Sequence, residues 1–423
     1  MSPKLVLVPT SYDDDSDATF ETKEIPRTQT ERGHFYYLNA DARMNLKKYQ
    51  YHGTDNSILY NYVLSPFAQF CVDKFVPETM APNVVTLLAL VLMTTTYLVC
   101  WWYSPTLETN DDFPRWIFLW LAFSLIGYQT LDNMDGKQAR RTGSSSPLGL
   151  LFDHGCDAVN SIFGSAALIC TLGLSIRDDP IPYAASIMAP FVVFYVSTWE
   201  EYHVGELILP IVNGPSDGIV INACMHLLTF AKGTSVWHGT EMYDFMRAYL
   251  PSFLQTNDTL RNVDVFTFQL ILCSMNEICI KIFNVTRKHK GSAANLIPMA
   301  VLAVGLCAIG WLDSSVLLES PRTSLHLSTV LFVEMTTSLM LDHMTGQRFK
   351  WLRWQQLPLV GIVLALALFN IDTDIMSYWV SAYAWSIGAY LVMKMVLVIQ
   401  ECCDVLNVWC FDIVTPRYSN KAN

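Results

Sequence analysis

The chain has 423 residues, of which 52% are hydrophobic, and its mean hydropathy is +0.29. A soluble protein of this length rarely contains so many apolar runs of about twenty residues, the length that crosses a bilayer as a helix. The formal net charge of −11 comes without a basic stripe, so we expect no nucleic-acid partner. Most of the 11 cysteines fall inside apolar runs and none forms a CxxC pair, which indicates buried thiols.

The first 80 residues are more polar than the rest. Residues 1–40 contain "YDDDSD" and "ETKEIPRTQTERG" but no apolar stretch typical of a signal peptide, and we predict a disordered cytosolic N-terminus. Residues 41–80 are predicted to be an interfacial amphipathic region. Within them, the stretch from Ser57 to Phe75 is too polar to span, and a helix lying in the membrane interface is favoured over a packed cytosolic helix.

Ten apolar runs follow. They lie at about 84–103, 115–131, 149–175, 183–199, 216–234, 264–285, 294–312, 324–342, 356–371 and 377–398. The predicted fold is therefore all-α, a polytopic membrane helical bundle with about ten transmembrane helices and an N-terminal interfacial amphipathic helix. Residues 401–423 are predicted to be a cytosolic tail.

The charges of the loops predict an orientation. If the N-terminus is cytosolic, the loops on that side include "GKQARR", "TRKHKG" and "GQRFKWLRW", whereas opposite loops such as "SPTLETNDDFP" and "RDDPIP" are acidic. Lysine and arginine favour the cytosolic side, so both termini and the 132–148 loop are predicted there. The sequon that starts at Asn257 would be lumenal, and the one at Asn284 would lie at a cytosolic helix end and stay unmodified.

Four aspartates lie around the junction of the second and third apolar runs, two after the end of the second and two in the first turns of the third, where burying charge is costly. Asp132 and Asp135 share one helix face at i, i+3, and Asp153 and Asp157 share another at i, i+4. The short connection "RTGSSSP" lets the two helices run antiparallel, so all four carboxylates can converge. One aspartate at a helix centre costs on the order of 2.5–3.5 kcal/mol and four repel one another. We therefore expect two bound Mg²⁺ or Mn²⁺ ions, the alternative being ordinary loop charges at the membrane surface.

Small residues are interleaved with these aspartates. They are Gly136, Ala139, Gly149 and Gly155. Gly136 and Ala139 lie on one side of the helix end, where a flat ligand can approach the backbone closely. Beside the aspartates, this pattern suggests a bound nucleotide.

The spacing of these residues resembles the motif of the CDP-alcohol phosphotransferases. The matching positions are Asp132-x2-Asp135-Gly136-x2-Ala139-Arg140-x8-Gly149-x3-Asp153-x3-Asp157. More narrowly, "DGKQARRTGSSSPLGLLFDHGCD" resembles the eukaryotic choline- and ethanolaminephosphotransferases. The segments "LKKYQYHGTDNSIL", "APNVVT" and "TWEEYHVGELILPIVNGPSDG" resemble the same enzymes. The resemblance extends from about residue 46 to the last span and fades after 240.

The resemblance implies a ten-helix membrane enzyme of the endoplasmic reticulum or Golgi, often a homodimer. It implies transfer of phosphocholine or phosphoethanolamine from CDP-choline or CDP-ethanolamine to diacylglycerol, with release of CMP and a requirement for Mg²⁺ or Mn²⁺. Residues 81–235 would hold the catalytic helices and 236–400 the remaining transmembrane helices.

The resemblance also implies roles for individual residues. The two ions would be held by Asp132, Asp135, Asp153 and Asp157. Substrate would be bound by Asn83, Gly136, Ala139, Arg140 and Gly149. Among these, Arg140 would bind the diphosphate and Asn83 would contact the CDP-alcohol, although a helix N-cap is the alternative for Asn83.

The proton acceptor implied by the resemblance is His154, next to Asp153. Its ordinary pKa suits the deprotonation of the diacylglycerol hydroxyl, and the alternative is a helix-end histidine bonded to a carbonyl. Related enzymes support this histidine with a glutamate, but here "GPSDG" places the shorter Asp217 at that position. Asp157 is the reserve candidate for the base.

The head group could be recognised by aromatic or acidic side chains near the site. Candidates for a choline cage are Tyr128, Tyr195, Trp199 and Tyr202, and candidates for pairing with ethanolammonium are Glu200 and Glu201. Two alternative functions are a family member that uses another alcohol, such as inositol with CDP-diacylglycerol, and a divalent-cation transporter. A transporter would need carboxylates near the bilayer midplane, often with an internal repeat.

Overall fold

The computed structural model describes residues 36–110, 112–247, 249, 260–318, 320–369 and 371–417, and the backbone of 7–9 and 20–22. Those two short stretches pair as antiparallel strands β1 (Leu7–Pro9) and β2 (Phe20–Thr22). The remainder of the N-terminal segment up to residue 35, for which disorder was predicted, lies outside the described residues. The sequon at Asn257 and the last six residues of the tail, 418–423, also lie outside them.

The described chain is built almost entirely from helices. They are α1 (Ala40–Lys48), α2 (Ser65–Phe75), α3 (Pro82–Tyr103), α4 (Arg115–Thr142), α5 (Pro147–Leu172), α6 (Pro180–Val204), α7 (Ile219–Lys232), α8 (Glu241–Arg247), α9 (Asn262–Lys288), α10 (Ile297–Leu312), α11 (Ser314–Leu318), α12 (Pro321–Thr345), α13 (Leu357–Leu368) and α14 (Thr373–Leu406). Strands β3 (Gly53–Asp55) and β4 (Leu207–Leu209) form a short parallel pair. The predicted all-α class is confirmed.

Within the described ranges, seven helices are long and apolar enough to cross a membrane, or up to eight if the bent pair Gly214–Lys232 and Thr234–Arg247 is one span. These helices contain most of the predicted apolar runs. Two further runs correspond to α4, which carries aspartates at one end, and to α13, which has only 12 residues. The polytopic membrane bundle is therefore confirmed, and the number of ten spans stays a prediction.

The connection between α4 and α5 shows why the two helices end where they do. Helix α4 stops at Gly143, whose φ of 64° is the left-handed conformation that glycine adopts readily at a helix C-terminus. Helix α5 starts after Ser146, whose hydroxyl accepts a hydrogen bond from the Gly149 N–H at 3.1 Å, and Pro147 occupies its first position. The short connection predicted between the aspartate-bearing helices is therefore present.

The interior of the bundle is packed with apolar and aromatic side chains. Phe191 of α6 stacks on Phe332 of α12 with ring centroids 4.4 Å apart, and both are fully buried. On the outside, Trp311 is 90% exposed and Trp385 is 72% exposed. Exposed aromatic side chains of this kind suit contact with lipid. Within a bilayer, helices are held together by close packing and polar contacts and not by burial from water.

An ion-pair network is buried between α12 and α14. Glu334 of α12 accepts a hydrogen bond from Lys394 of α14 at 2.8 Å and is also paired with Arg353. The hydroxyl of Ser338 donates to the same carboxylate at 3.1 Å. A charge at this depth requires partners. The network therefore fastens α14 and the loop after α12 to the core.

Helix α1 covers the end of the bundle that carries the four aspartates, which we call the aspartate end. Its residues Ala42 and Leu46 are buried in an apolar cluster with Met344 of α12 and Cys402 of α14. Just before α1, the carboxylate of Glu401 accepts hydrogen bonds from consecutive backbone N–H groups, those of residues 36–38. Residues 36–38 are therefore held in place by α14.

Helix α2 lies beside α4 at the same end. The guanidinium of Arg141 donates to the carbonyl oxygens of Val72 at 2.8 Å and Val76 at 2.6 Å, which satisfies carbonyls at the end of α2. The opposite side of α2 exposes Phe67 and Phe70, each about half accessible. This arrangement is expected of a helix that lies in the membrane interface, and its contact with lipid stays a prediction.

Candidate active site

Three of the four predicted aspartates converge at the junction of α4 and α5. Each of Asp132, Asp153 and Asp157 offers one carboxylate oxygen, and these three oxygens all lie within 4.8 Å of one another. The Oδ1 atom of Asp153 is buried and has no hydrogen-bond partner within the described chain. The two helix ends therefore bring their acids to one point, as the sequence spacing predicted.

The fourth aspartate, Asp135, is buried beside this group. Its carboxyl lies against that of Asp153, and its Oδ2 accepts a hydrogen bond of 2.5 Å from the Thr86 hydroxyl of α3. Thr86 belongs to the segment "APNVVT", but the motif alone does not point to a role for it. The available signal was its spacing, because Thr86 follows Asn83 by three residues and so shares its helix face.

Tyr128 of α4 orients another member of the group. Its hydroxyl donates a hydrogen bond to Oδ1 of Asp157 at 2.8 Å, and the ring is 8% exposed. Tyr128 is a predicted candidate for a choline cage, but its hydroxyl is directed at the acidic cluster. A hydrogen bond of this kind holds a ligating carboxylate in one orientation.

The chemistry of the cluster fits a divalent metal site. Among the described residues, none of the four aspartates forms an ion pair with lysine or arginine. Several uncompensated carboxylates at a membrane helix end, one with an orphaned oxygen, call for a cation to balance them. A set of ligands made only of oxygen suits hard cations such as Mg²⁺ and Mn²⁺.

The predicted substrate-binding residues lie at the same helix ends. A side chain on Gly136 would reach within 3.5 Å of the Arg140 guanidinium, and one on Gly149 within 3.5 Å of Asn83 Oδ1. Arg140 is exposed and forms no hydrogen bond or ion pair within the described residues, so it is available to a ligand. Ala139 is half-buried, and its carbonyl accepts a hydrogen bond from the N–H of the residue after Gly143.

Asn83 lies within the first turn of α3. The helix starts at Pro82 and its N-cap is Ala81, so the N-cap alternative for Asn83 is wrong. The Asn83 side chain is 8% exposed, and its Nδ2 donates to the carbonyl oxygen of Cys410 at 2.9 Å. Asn83 thus sits one turn before Thr86 and faces both the glycine of α5 and the chain after α14.

His154 follows Asp153 on α5, and its ring faces the chain that follows α1. The ring of Tyr51 meets the His154 ring edge to face, with centroids 6.0 Å apart. Burial raises the pKa of Tyr51, and the negative charge of Glu201 raises it further, so the phenol stays protonated. Within the described residues the imidazole forms no hydrogen bond, which argues against a histidine tied to a helix-end carbonyl and leaves both ring nitrogens for a ligand.

Among the described residues, Asp217 forms no hydrogen bond or ion pair with His154. Its Oδ2 accepts a hydrogen bond from the Asn213 N–H at 3.1 Å within the turn Gly214–Gly218. The same turn is fastened to β3, because Asp55 accepts hydrogen bonds from the Asn213 amide at 2.9 Å and the Ser216 hydroxyl at 2.7 Å. Asp217 therefore supports a loop that is joined to the strand following Tyr51.

Most head-group candidates are committed to other contacts. Tyr195 donates to the carbonyl oxygen of Asn295 at 2.6 Å, and Trp199 to that of Ser292 at 3.0 Å. Their rings are fully buried against that turn. The Tyr202 hydroxyl donates a hydrogen bond to the Gln347 carbonyl, and Glu200 forms an ion pair with Lys281. Both Glu200 and Glu201 are buried, but Glu201 has no ion pair among the described residues.

The bundle and its half-buried acidic cluster define an integral membrane protein with a candidate cation site, and the comparisons with known proteins identify its class. Residues 79–243 match the family model of the CDP-alcohol phosphatidyltransferases. Choline/ethanolaminephosphotransferase 1 of Arabidopsis thaliana is 31% identical over 89% of this chain and 98% of its own length. Choline/ethanolaminephosphotransferase 1 of Saccharomyces cerevisiae has the same identity and coverage.

A similar protein occurs in Dictyostelium discoideum. This uncharacterized CDP-alcohol phosphatidyltransferase class-I family protein 3 is 29% identical over 89% of this chain and 98% of its own length. The chain belongs to the CDP-alcohol phosphatidyltransferase family. The family resemblance drawn from the aspartate motif is therefore confirmed.

Proposed function

We propose that this protein transfers phosphocholine and phosphoethanolamine from CDP-choline and CDP-ethanolamine to diacylglycerol, forming phosphatidylcholine or phosphatidylethanolamine and CMP. The observation that carries the proposal is the group of three carboxylates within 4.8 Å, without basic partners, in a chain that resembles named choline/ethanolaminephosphotransferases along most of its length. We place the protein in the endoplasmic reticulum or Golgi membrane, with both termini and the active site on the cytosolic side, as a homodimer.

The metal site would hold two ions, Mg²⁺ or Mn²⁺. The ligands would be Asp132, Asp135, Asp153 and Asp157. When bound, such ions supply charge neutralisation for a diphosphate and for the departing CMP oxygen. The hydroxyls of Thr86 and Tyr128 hold two of the carboxylates in place, which reduces reorganisation when the cluster binds its ligands.

The nucleotide would lie where the backbone is open. Gly136 and Gly149 present no side chain there, so phosphate and sugar can approach the helix ends. Arg140 would donate to the diphosphate, which its planar guanidinium can bind through two parallel hydrogen bonds. Asn83 would contact the nucleoside. Phosphoryl transfer requires mainly this positioning and neutralisation of charge.

His154 would act as the base. The diacylglycerol oxygen forms a bond to the phosphorus that bears the head group, the bond from that phosphorus to the CMP oxygen breaks, and His154 takes the hydroxyl proton. The Tyr51 ring limits the orientations of the imidazole. Asp217 would support His154 indirectly, through the loop it shares with Asn213, and Asp157 is the alternative proton acceptor.

The test is transfer by the purified protein in mixed micelles that contain diacylglycerol and Mg²⁺. Labelled CDP-choline and CDP-ethanolamine should each give labelled phospholipid, and EDTA should abolish the product. Asp153→Asn should lower the rate by at least about 100-fold, because it removes a charged ligand from the cluster. The matched control is Asp178→Asn, an exposed acid at the opposite end of the bundle, which should retain full activity.

Two results would contradict the proposal. Full activity of the Asp153→Asn variant, or full activity of the wild-type protein in EDTA, would show that the aspartates do not hold a required metal. If product formed only from CDP-diacylglycerol and inositol, these would be the substrates in place of those proposed. Metal uptake by proteoliposomes without any phosphotransfer would indicate a transporter.

A further inference from the structure

The chain after α14 folds back over the aspartate end as an ordered segment, residues 408–417, which we call the C-terminal segment. Arg417 closes it: the guanidinium pairs with Asp404, donates to the Val408 carbonyl at 2.8 Å and lies 4.7 Å from the centre of the Trp409 ring. The Val408 N–H donates to the carbonyl of Cys403 at 3.2 Å, at the end of α14. These contacts give the segment a defined position.

The C-terminal segment meets the candidate active site at two points. The carbonyl oxygen of Cys410 accepts the hydrogen bond from Asn83 Nδ2, and the Cys410 sulfur lies 3.5 Å from the same nitrogen. The Phe411 ring packs edge to face on Phe152, the residue before Asp153, with centroids 5.5 Å apart. The segment therefore touches both helices that line the nucleotide side of the cluster.

The contact with Cys410 decides which end of the Asn83 amide is offered to a ligand. A side-chain amide carries donors on its nitrogen and acceptors on its oxygen. The nitrogen of Asn83 is used by Cys410, and the oxygen lies 3.5 Å from the position of a side chain on Gly149, over open backbone. The site is thereby offered an acceptor, which matches a donor group of a nucleoside such as the cytosine amine or a ribose hydroxyl.

We propose that the C-terminal segment is a positioning element of the CDP-alcohol site, in which the Cys410 carbonyl holds Asn83 so that its oxygen accepts a hydrogen bond from the nucleoside. The inference rests on the proposed function, because it assumes a CDP-alcohol substrate. It assigns the segment to the binding of one substrate. Its loss should therefore raise KM for the CDP-alcohol while KM for diacylglycerol and kcat change little.

The first test compares two truncated chains. A chain that stops after Asn407 lacks the segment, and the matched control stops after Arg417. We expect KM for CDP-choline to rise about three- to tenfold in the shorter chain only, the effect of one hydrogen bond. In an Asn83→Ala background the same truncation should add nothing to KM. An unchanged KM, an equal rise in KM for diacylglycerol, or a further rise in that background would overturn the proposal.

A second variant covers the case in which the shorter chain does not fold. Arg417→Ala keeps every backbone group but removes the contacts that close the segment, and we expect KM for CDP-choline to rise about two- to fivefold. Arg417→Ala with wild-type KM for both substrates would refute the proposal. Wild-type protein that turns over no CDP-alcohol would instead refute the proposed function, so the two failures are distinguishable.

The third test needs no turnover. Burial raises the pKa of the Cys410 thiol to about 11, so its alkylation by a maleimide should speed up about tenfold per pH unit between pH 7 and 9. At pH 8.5, saturating CDP-choline should slow this labelling at least about fivefold, measured by peptide mass spectrometry. N-acetylcysteine added to the same reaction is the control and should label equally with and without CDP-choline. Equal labelling of Cys410 in both conditions would contradict the proposal.

Discussion

Removal of the Tyr128 hydroxyl isolates one contact of the acidic cluster. The substitution Tyr128→Phe keeps the buried ring and deletes only the group that donates to Asp157 at 2.8 Å. A hydrogen bond to a charged group contributes about 1.5–3 kcal/mol, which corresponds to about 10- to 150-fold in an equilibrium constant. Because the hydroxyl orients a proposed metal ligand, we expect the concentration of Mg²⁺ that gives half-maximal transfer to rise by about 10- to 100-fold.

The assay is transfer of labelled phosphocholine to diacylglycerol, titrated with Mg²⁺ at saturating substrates. Tyr183→Phe is the matched control, because Tyr183 is also buried but its hydroxyl has no hydrogen-bond partner in the described chain. We expect Tyr183→Phe to leave the Mg²⁺ requirement unchanged. A wild-type Mg²⁺ titration for Tyr128→Phe, or equal shifts in both variants, would refute the idea that this hydroxyl prepares Asp157 for a metal.

Two further substitutions test other contacts. Thr86→Val keeps the shape of the side chain but removes the donor to Asp135, so we expect kcat to fall by at least about tenfold. Thr86→Ser restores the hydroxyl and should recover kcat. Full activity of Thr86→Val would contradict this role. Glu334→Gln leaves Arg353 and Lys394 buried without their anion and should destabilise the protein by about 3–5 kcal/mol. Thermal unfolding in detergent measures this loss, and an unchanged melting temperature would show that the two cations have another counter-charge.

Regular spacing explains why the acidic cluster could be predicted from the sequence. Helical geometry fixes which residues share a face, so Asp132 and Asp135, like Asp153 and Asp157, could be paired without coordinates. The short link between them contained a glycine C-cap and a serine N-cap, which are local signals. The convergence of the acids followed from these two facts.

Long-range contacts could not be predicted in the same way. Thr86 reaches Asp135 across 49 positions, and the Asn83 amide reaches Cys410 across 327. No periodic pattern connects such distant residues. Asp217 shows the limit of a motif match, because the shorter side chain left its support of His154 open, and its carboxylate accepts a hydrogen bond from the N–H of Asn213 four residues away.

The number of spans depends on a different physical property. Helix α4 combines a membrane-length apolar stretch, predicted as a span at about 115–131, with a polar end that carries Asp132. Hydropathy is an average over a run, so the acids at one end lower the value for the helix that bears them. The run was predicted from the sequence, and its crossing of the membrane stays a prediction.

The docking of α1 has a consequence for the order of assembly during synthesis. Ala42 and Leu46 are synthesised long before their apolar partner Cys402 and before Glu401, which accepts hydrogen bonds from the backbone just ahead of them. Helix α1 can therefore reach its final position only after α14 has been made. A nascent chain arrested before α14 would leave the aspartate end uncovered by α1, so folding at this end is completed only once α14 has been synthesised.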